Sequence, residues 1–145
     1  MQPKVHLIKL CVGTESVEDL EAWQAQASAR NAAEGRPARP IHVTRMWPKR
    51  ADEILQGGSL YWVFKGLVLA RQRIVAFDRR IGEDGISRCA IGFDPELTRT
   101  TPLPRRPFQG WRYLRPEDAP ADLIGGVGAD MPPMLAAKLA EIGVV

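Results

Sequence analysis

Apolar and polar positions change period several times along this chain, and each change marks an element. Val5 to Val12 is apolar apart from His6 and Lys9 and predicts a short buried strand, which Gly13 ends. Ser16 then precedes Val17-Glu18-Asp19, an acid at the third helical position as in a capping box. Val17, Leu20, Gln24 and Ala27, with Trp23 beside them, give the following helix one apolar stripe. Glu15, Glu18, Asp19 and Glu21 crowd its N-terminal end, where the macrodipole is positive. The helix fades between Asn31 and Gly35, and Arg36-Pro37-Ala38-Arg39-Pro40 reads as an exposed connector.

Ile41 to Met46 alternates as a strand does, and Pro48 suits a first helical position, so a short helix is expected over Lys49 to Leu55. Gly57-Gly58 ends it. Ser59 to Lys65 is rich in aromatic and β-branched residues and predicts a strand. Gly66 breaks that strand and Leu67 to Arg80 makes a long second one. Gly82-Glu83-Asp84-Gly85 then signals a hairpin into Ile86 to Phe93. Three consecutive strands joined by short turns predict an antiparallel meander. From Asp94 prolines recur at Pro95, Pro102, Pro104, Pro107, Pro116 and Pro120, which predicts an extended segment laid over the domain. Phe108, Trp111, Tyr113 and Leu114 on it require burial. Gly125-Gly126-Val127-Gly128 reads as flexible, and Pro132-Pro133 opens a short closing helix through Leu135, Leu139 and Ile142. No internal repeat is present. The pattern predicts a single α+β domain over 1–145. It would be a curved, mostly antiparallel sheet or a small β-barrel, with a long N-terminal helix packed against it and short flanking helices.

Composition narrows the function classes. A 145-residue chain with 45% hydrophobic and 26% charged residues is globular, neither disordered nor fibrous. No apolar run approaches the roughly 18 residues of a membrane span, and the opening residues lack the pattern of a signal peptide. Cys11 and Cys89 lie in separate apolar segments without CxxC spacing, so free buried thiols in a cytoplasmic protein are expected. His6 and His42 are the two histidines and neither has a metal-ligand spacing. With no G-x-S-x-G and no P-loop, neither a metal nor a cofactor is expected.

Charge changes the picture more than composition does. The net charge is only +3, yet between Gly35 and Phe77 eight basic residues face two acids, Asp52 and Glu53. Between Leu97 and Pro116 there are five arginines and no acid. Segregation of this kind creates a local positive field whatever the net charge.

Three segments could use that field. In His42-Val43-Thr44-Arg45-Met46-Trp47-Pro48-Lys49-Arg50, a strand passes into a helix whose free N–H groups would favour an anion. Arg45, Lys49 and Arg50 would meet phosphates and Trp47 would stack on a base, although Trp47 serves equally well as a packing staple. In the second, alternation places Arg71 and Arg73 on one face with Leu69, Val75 and Phe77, either lining a groove, facing water or pairing with Asp52 or Glu53. In the third, Arg105-Arg106-Pro107-Phe108-Gln109-Gly110-Trp111-Arg112-Tyr113 combines guanidinium forks for phosphates with aromatic faces. Arginine–aromatic stacking would also fix such a loop structurally. If the two charge blocks form one surface, Arg45, Arg71 or Arg73 should share a face with Arg105 or Arg106.

The strings 42–50, 57–66, 70–74 and 105–114 resemble an uncharacterised, mainly alphaproteobacterial family of about this length, a domain of unknown function. That resemblance runs nearly end to end and implies a cytoplasmic bacterial protein without assigning an activity. The order short helix, Gly57-Gly58, aromatic strand, Gly66, long strand is similar to the PUA-like group of RNA-binding barrels, including its ASCH branch. ASCH domains place a Lys and a Glu after the glycine pair, whereas here the stretch holds Tyr61, Trp62 and Lys65 with no acid.

The leading expectation is therefore binding of RNA or another polyanion. Arg45, Lys49, Arg50, Arg71, Arg73, Arg105 and Arg106 would meet phosphates, and Trp47, Trp111 or Tyr113 would stack on a base. One alternative is an enzyme acting on a nucleotide-like or phosphorylated small molecule, with His42 and a distant carboxylate as acid and base. The other is a module whose loop around Phe108 and Trp111 docks on a protein.

Overall fold

A computed structural model describes residues 4–36 and 39–123. The expected flexible glycines at 125–128 and the closing helix after Pro132 lie outside the described residues. Strands β1 (His6–Leu10), β2 (Ile41–Thr44), β3 (Ser59–Phe64), β4 (Leu67–Ile81), β5 (Ser87–Pro104) and β6 (Trp111–Leu114) form one sheet in the order β2-β5-β4-β3-β1-β6. β1 runs parallel to β3 and the other pairings are antiparallel, so the sheet is mixed. Helix α1 spans Val17–Ala33, α2 is the single turn Ala51–Ile54, and a 3-10 turn covers Pro116–Asp118.

The expected meander is β3-β4-β5. Its first turn has two residues, Lys65 and Gly66, both at positive φ (48° and 85°), the backbone that matches the twist of a tight hairpin. Gly58 has a different reason to be glycine. A Cβ there would stand 2.6 Å from the Ile54 carbonyl oxygen and 2.8 Å from that of Val5.

β5 continues far past Phe93, through the proline-rich stretch expected to be a mere covering segment. Two register shifts absorb the prolines. Asp94, Pro95 and Glu96 stand opposite Arg73 alone, and Thr100, Thr101 and Pro102 stand opposite Leu69 alone. Bulged residues do not need to donate to the ladder, which is where a strand tolerates proline. β2 covers β5 only over 89–92, so beyond Phe93 the outer side of β5 carries little ladder.

The barrel expectation is corrected, and with it the closed PUA-like architecture: no ladder joins β2 to β6, and the sheet is open. Nor does a long N-terminal helix organise the domain. A strand comes first, and α1 buries only Val17, Leu20 and Gln24 along its length. The sheet is nevertheless curled, because Trp111 on β6 donates its indole N–H to the Met46 carbonyl, just past β2, at 3.0 Å. Its inner face carries the main core, including Leu7, Leu60, Trp62, Phe64, Ile74, Ile91, Phe93 and Trp111. The outer face carries a smaller cluster of Ile8, Tyr61, Val63, Val68 and Leu114.

Ser16 caps α1 as the sequence indicates, its hydroxyl accepting the Asp19 N–H at 3.1 Å. The helix is fixed to the inner face by a polar contact inside the core. Gln24 and Gln72 exchange side-chain amide bonds at 2.9 and 2.8 Å. The Gln72 oxygen also accepts the Trp62 indole N–H, and its nitrogen also donates to the Asp94 carbonyl. Gln72 is 0% exposed. Replacing Gln24 by Leu would leave the buried Gln72 amide two bonds short, at about 1–3 kcal/mol per orphaned group. Urea unfolding should show Gln24→Leu destabilised by roughly 2–4 kcal/mol. The double variant Gln24→Leu/Gln72→Leu should lose less than the two single losses together. Strict additivity would mean that the amides do not act as a pair.

Candidate anion-binding surface

Strand alternation and bulges together decide which side of the sheet each cation occupies. Arg71 pairs in register with Tyr61, and Tyr61 with Ile8, which is opposite Arg112; this row lies on the outer face. Arg73 stands opposite Ser59, two residues from Tyr61 on the same side. The expectation that Arg71 and Arg73 share a face with Leu69 and Phe77 is corrected, since both of those pack on the inner core. Leu69 is an extra residue against β3, between Trp62/Val63, and Val75 is an extra residue against β5, between Ile74/Ala76, and each reverses the alternation.

Arg71 is committed. It makes a two-pronged bond to Asp122 at 2.7 Å through both Nε and Nη2, and its Nη1 donates to the Ser59 hydroxyl at 3.0 Å. The hydrogen bonds between them, and then their opposite charges, lower the pKa of Asp122 and raise that of Arg71. The acid therefore comes from Asp122, not from Asp52 or Glu53. Glu53 instead pairs with Arg50, at 2.5 Å.

The segment 42–50 does not build the expected helix-terminus site. α2 is one turn long, and the Arg50 N–H at its start is taken by the Tyr113 hydroxyl at 3.2 Å. The Arg50 guanidinium lies over the Tyr113 ring, 5.7 Å from its centre. Trp111, 5% exposed and bonded to Met46, is core and presents no face to a base. Trp47 is 43% exposed and leans on Phe77 at 6.3 Å. Arg45 and Lys49 are exposed in the same loop.

The third segment does gather charge. Phe108, packed on the outer cluster, carries the Arg105 guanidinium at 5.6 Å and that of Arg112 at 5.4 Å from its ring centre. Pro104, Arg105, Arg106, Pro107, Phe108 and Arg112 line a depression of about 410 Å³, and among the described residues no acid is on its wall. Among the described residues none of these three arginines has a salt bridge, whereas Arg36, Arg50, Arg71, Arg88, Arg99 and Arg115 all do. Arg71 and Arg73 thus share the outer face with this group. Arg71 lies three strands along its row from Arg112, roughly 14 Å at the usual strand spacing. The loop that carries Arg45, Trp47, Lys49 and Arg50 meets β6 from the inner side, through Met46 on Trp111 and Arg50 on Tyr113.

Sequence reasoning placed Arg112 and Phe108 in the third segment but gave neither a contact with a polyanion, Phe108 entering only as part of a protein-docking loop. Alternation along β6, with Trp111 and Tyr113 inward, would have put Arg112 outward beside Leu114. Nothing in the sequence showed that Phe108 would turn back under it.

His42 sits elsewhere, edge-on to Trp62 at 6.0 Å in a separate cleft. Among the described residues no carboxylate lines that cleft, so they assemble no acid–base pair around His42. Among the described residues no group of three or more His, Cys, Asp or Glu could hold a metal, and no helix is long and apolar enough to cross a membrane.

The family model described as "Protein of unknown function (DUF1489)" matches residues 7–145, and the chain belongs to that family. No curated protein and no solved structure matches it.

Burial, with the Lys9 ammonium nearby, lowers the pKa of His42 from 6.5 to about 4. The unfolded chain therefore binds a proton near 6.5 that the folded chain refuses until about 4. Stability from neutral His42 is fully present above pH 6.5 and is lost as pH falls through that window, by up to about 3 kcal/mol. His6 is shifted the same way, by burial and then Arg71, so the readout is a difference. Urea unfolding at pH 7 and pH 5 should show a smaller acid loss in His42→Gln than in the wild type. Equal losses would place His42 in solvent.

Proposed function

We propose that this DUF1489-family chain binds RNA or a comparable polyanion along the outer face of its sheet, through Arg105, Arg106 and Arg112 grouped at Phe108. The observation that supports this reading is the depression, without an acid among the described residues, in which two guanidinium groups share one ring. Like charges held close repel, and a phosphate between them converts that repulsion into paired, two-pronged hydrogen bonds. Arg73, exposed farther along the same face, extends the surface. Arg45, Lys49 and the half-exposed Trp47 lie in the loop that meets β6 from the inner side, where a strand turning round that edge would find further phosphate contacts. Tyr113 and Trp111 keep structural tasks in this reading, and Arg71 holds Asp122. A cytoplasmic setting suits both an RNA partner and the two free thiols, Cys11 and Cys89.

Binding of fluorescent single-stranded RNA, followed by anisotropy over a range of salt, tests the reading. Each phosphate contact removed from a single strand flattens the slope of log K against log salt by about 0.7. Arg105→Ala and Arg112→Ala should each do so while weakening RNAs of different sequence alike. Arg71→Ala should instead lower the melting temperature and leave the slope unchanged. Wild-type protein without affinity for any RNA at low salt would overturn the proposal.

A further inference from the structure

The cleft beside His42 has features that the polyanion reading does not use. It opens at the end of β1 on the inner side of the sheet and encloses about 200 Å³, space for one small ring rather than a polymer. Its wall includes Lys9 from β1, Thr14, His42 from β2, Trp62 from β3 and Trp23 from α1. Lys9 is half-buried there, and among the described residues it has no salt bridge and no side-chain hydrogen bond. A partly desolvated ammonium without a counter-charge is costly, and an incoming anion relieves that cost. Trp23 is 51% exposed although it flanks the core, so one indole face at the cleft mouth lacks a partner. Trp62 is fixed behind it by its bond to Gln72. His42 is uncharged at neutral pH, so its imidazole can donate or accept a hydrogen bond without adding a second charge. Cys11 is not offered to the ligand in the same way, because its sulfur is engaged with the Thr14 hydroxyl at 2.7 Å.

We infer that this cleft binds a small planar monoanion, an aromatic or heteroaromatic carboxylate, with the carboxylate at Lys9 and the ring against Trp23 and Trp62. The indoles select a flat ring, the volume limits it to about one ring, and the single unpaired cation sets the charge. This site stands on the opposite side of the sheet from the Phe108 depression, so neither proposal depends on the other.

Benzoate, its neutral counterpart benzamide and inorganic phosphate separate the elements of the inference, read by ¹H–¹⁵N resonance on the full chain. Benzoate should shift the Trp23 indole N–H and the amides of Gly13 and Thr14 in a saturable way. Benzamide should bind about tenfold or more weakly, the usual discrimination of a charge-assisted bond, and phosphate should leave the Trp23 indole unmoved. Lys9→Met should abolish the preference for benzoate over benzamide. Should Lys9→Met fail to fold, Trp23→Ala on the exposed side of α1 keeps the fold and should lose benzoate binding. Equal affinity for benzoate and benzamide would overturn the inference, as would shifts confined to Phe108 and Arg112. Arg105→Ala/Arg112→Ala should bind benzoate as the wild type does, whether or not RNA binding survives.

Discussion

A buried amide with four hydrogen-bonding capacities admits few arrangements around it, and Gln72 imposes that constraint on the middle of this sheet. Its oxygen accepts from Gln24 and Trp62, and its nitrogen donates to Gln24 and to the Asp94 carbonyl. Removing any partner leaves a polar group in a dry interior, so each partner's position is fixed by the others. Gln24 sets where α1 lies. Asp94 can turn its carbonyl inward because β5 bulges there, next to a proline that has no N–H to place. Trp62 is held with its ring against both His42 and Phe93. The small cleft inherits its rigidity from this arrangement, since Leu20 and Trp23 lie within one helical turn of Gln24.

The second constraint is the open sheet. Its two edge strands, β2 and β6, are not laddered to each other, and short polar side-chain bonds tie the loop after β2 to β6 instead. Trp111 reaches Met46, and Tyr113 accepts from the Arg50 N–H. Those aromatics point inward because they alternate with Arg112 and Leu114 on a four-residue strand. The arginine-and-aromatic segment is thereby divided by strand periodicity into an inner half that closes the curl and an outer half that carries charge. Stacking on Phe108 keeps the outer guanidinium groups in place at little cost, because a ring face attracts a cation without neutralising it.

Elements with an unbroken period were legible in the residues: β1, the cap at Ser16, the β3–β4 turn and the β3-β4-β5 meander. What failed did so at bulges. Simple alternation grouped Arg71 with Leu69 and Phe77, and one extra residue on each side of Arg71, Leu69 against β3 and Val75 against β5, reversed that grouping. Prolines read as the end of regular structure in β5 because their compensation, two register shifts on an outer side with little ladder, depends on the partner strand. The Arg71–Asp122 pair joins residues 51 apart, and no local pattern signals such a pair. Gln24 was visible as a polar residue in an apolar stripe, which is itself the mark of a buried partner. Lys9, likewise a charge inside an apolar strand, was the legible clue to the cleft.

The two proposed sites lie close in the ladder yet act almost separately, for a physical reason. Lys9 and Arg112 sit on neighbouring positions of β1 and β6, Lys9 opposite Trp111 and Arg112 opposite Ile8, with side chains on opposite faces. Across roughly 10 Å, two unit charges interact by about 0.4 kcal/mol at the dielectric of water and about 1.7 kcal/mol at an effective value near 20. Salt at physiological strength, with a screening length of about 8 Å, reduces the exposed Arg112 contribution further. An anion held at Lys9 would therefore weaken a polyanion on the outer face by at most about 20-fold at low salt, and by less at physiological salt. Shape, not charge, separates the ligands. The outer depression is open and can follow a chain, whereas the inner cleft admits a single ring because α1, anchored through Gln24, stands over it.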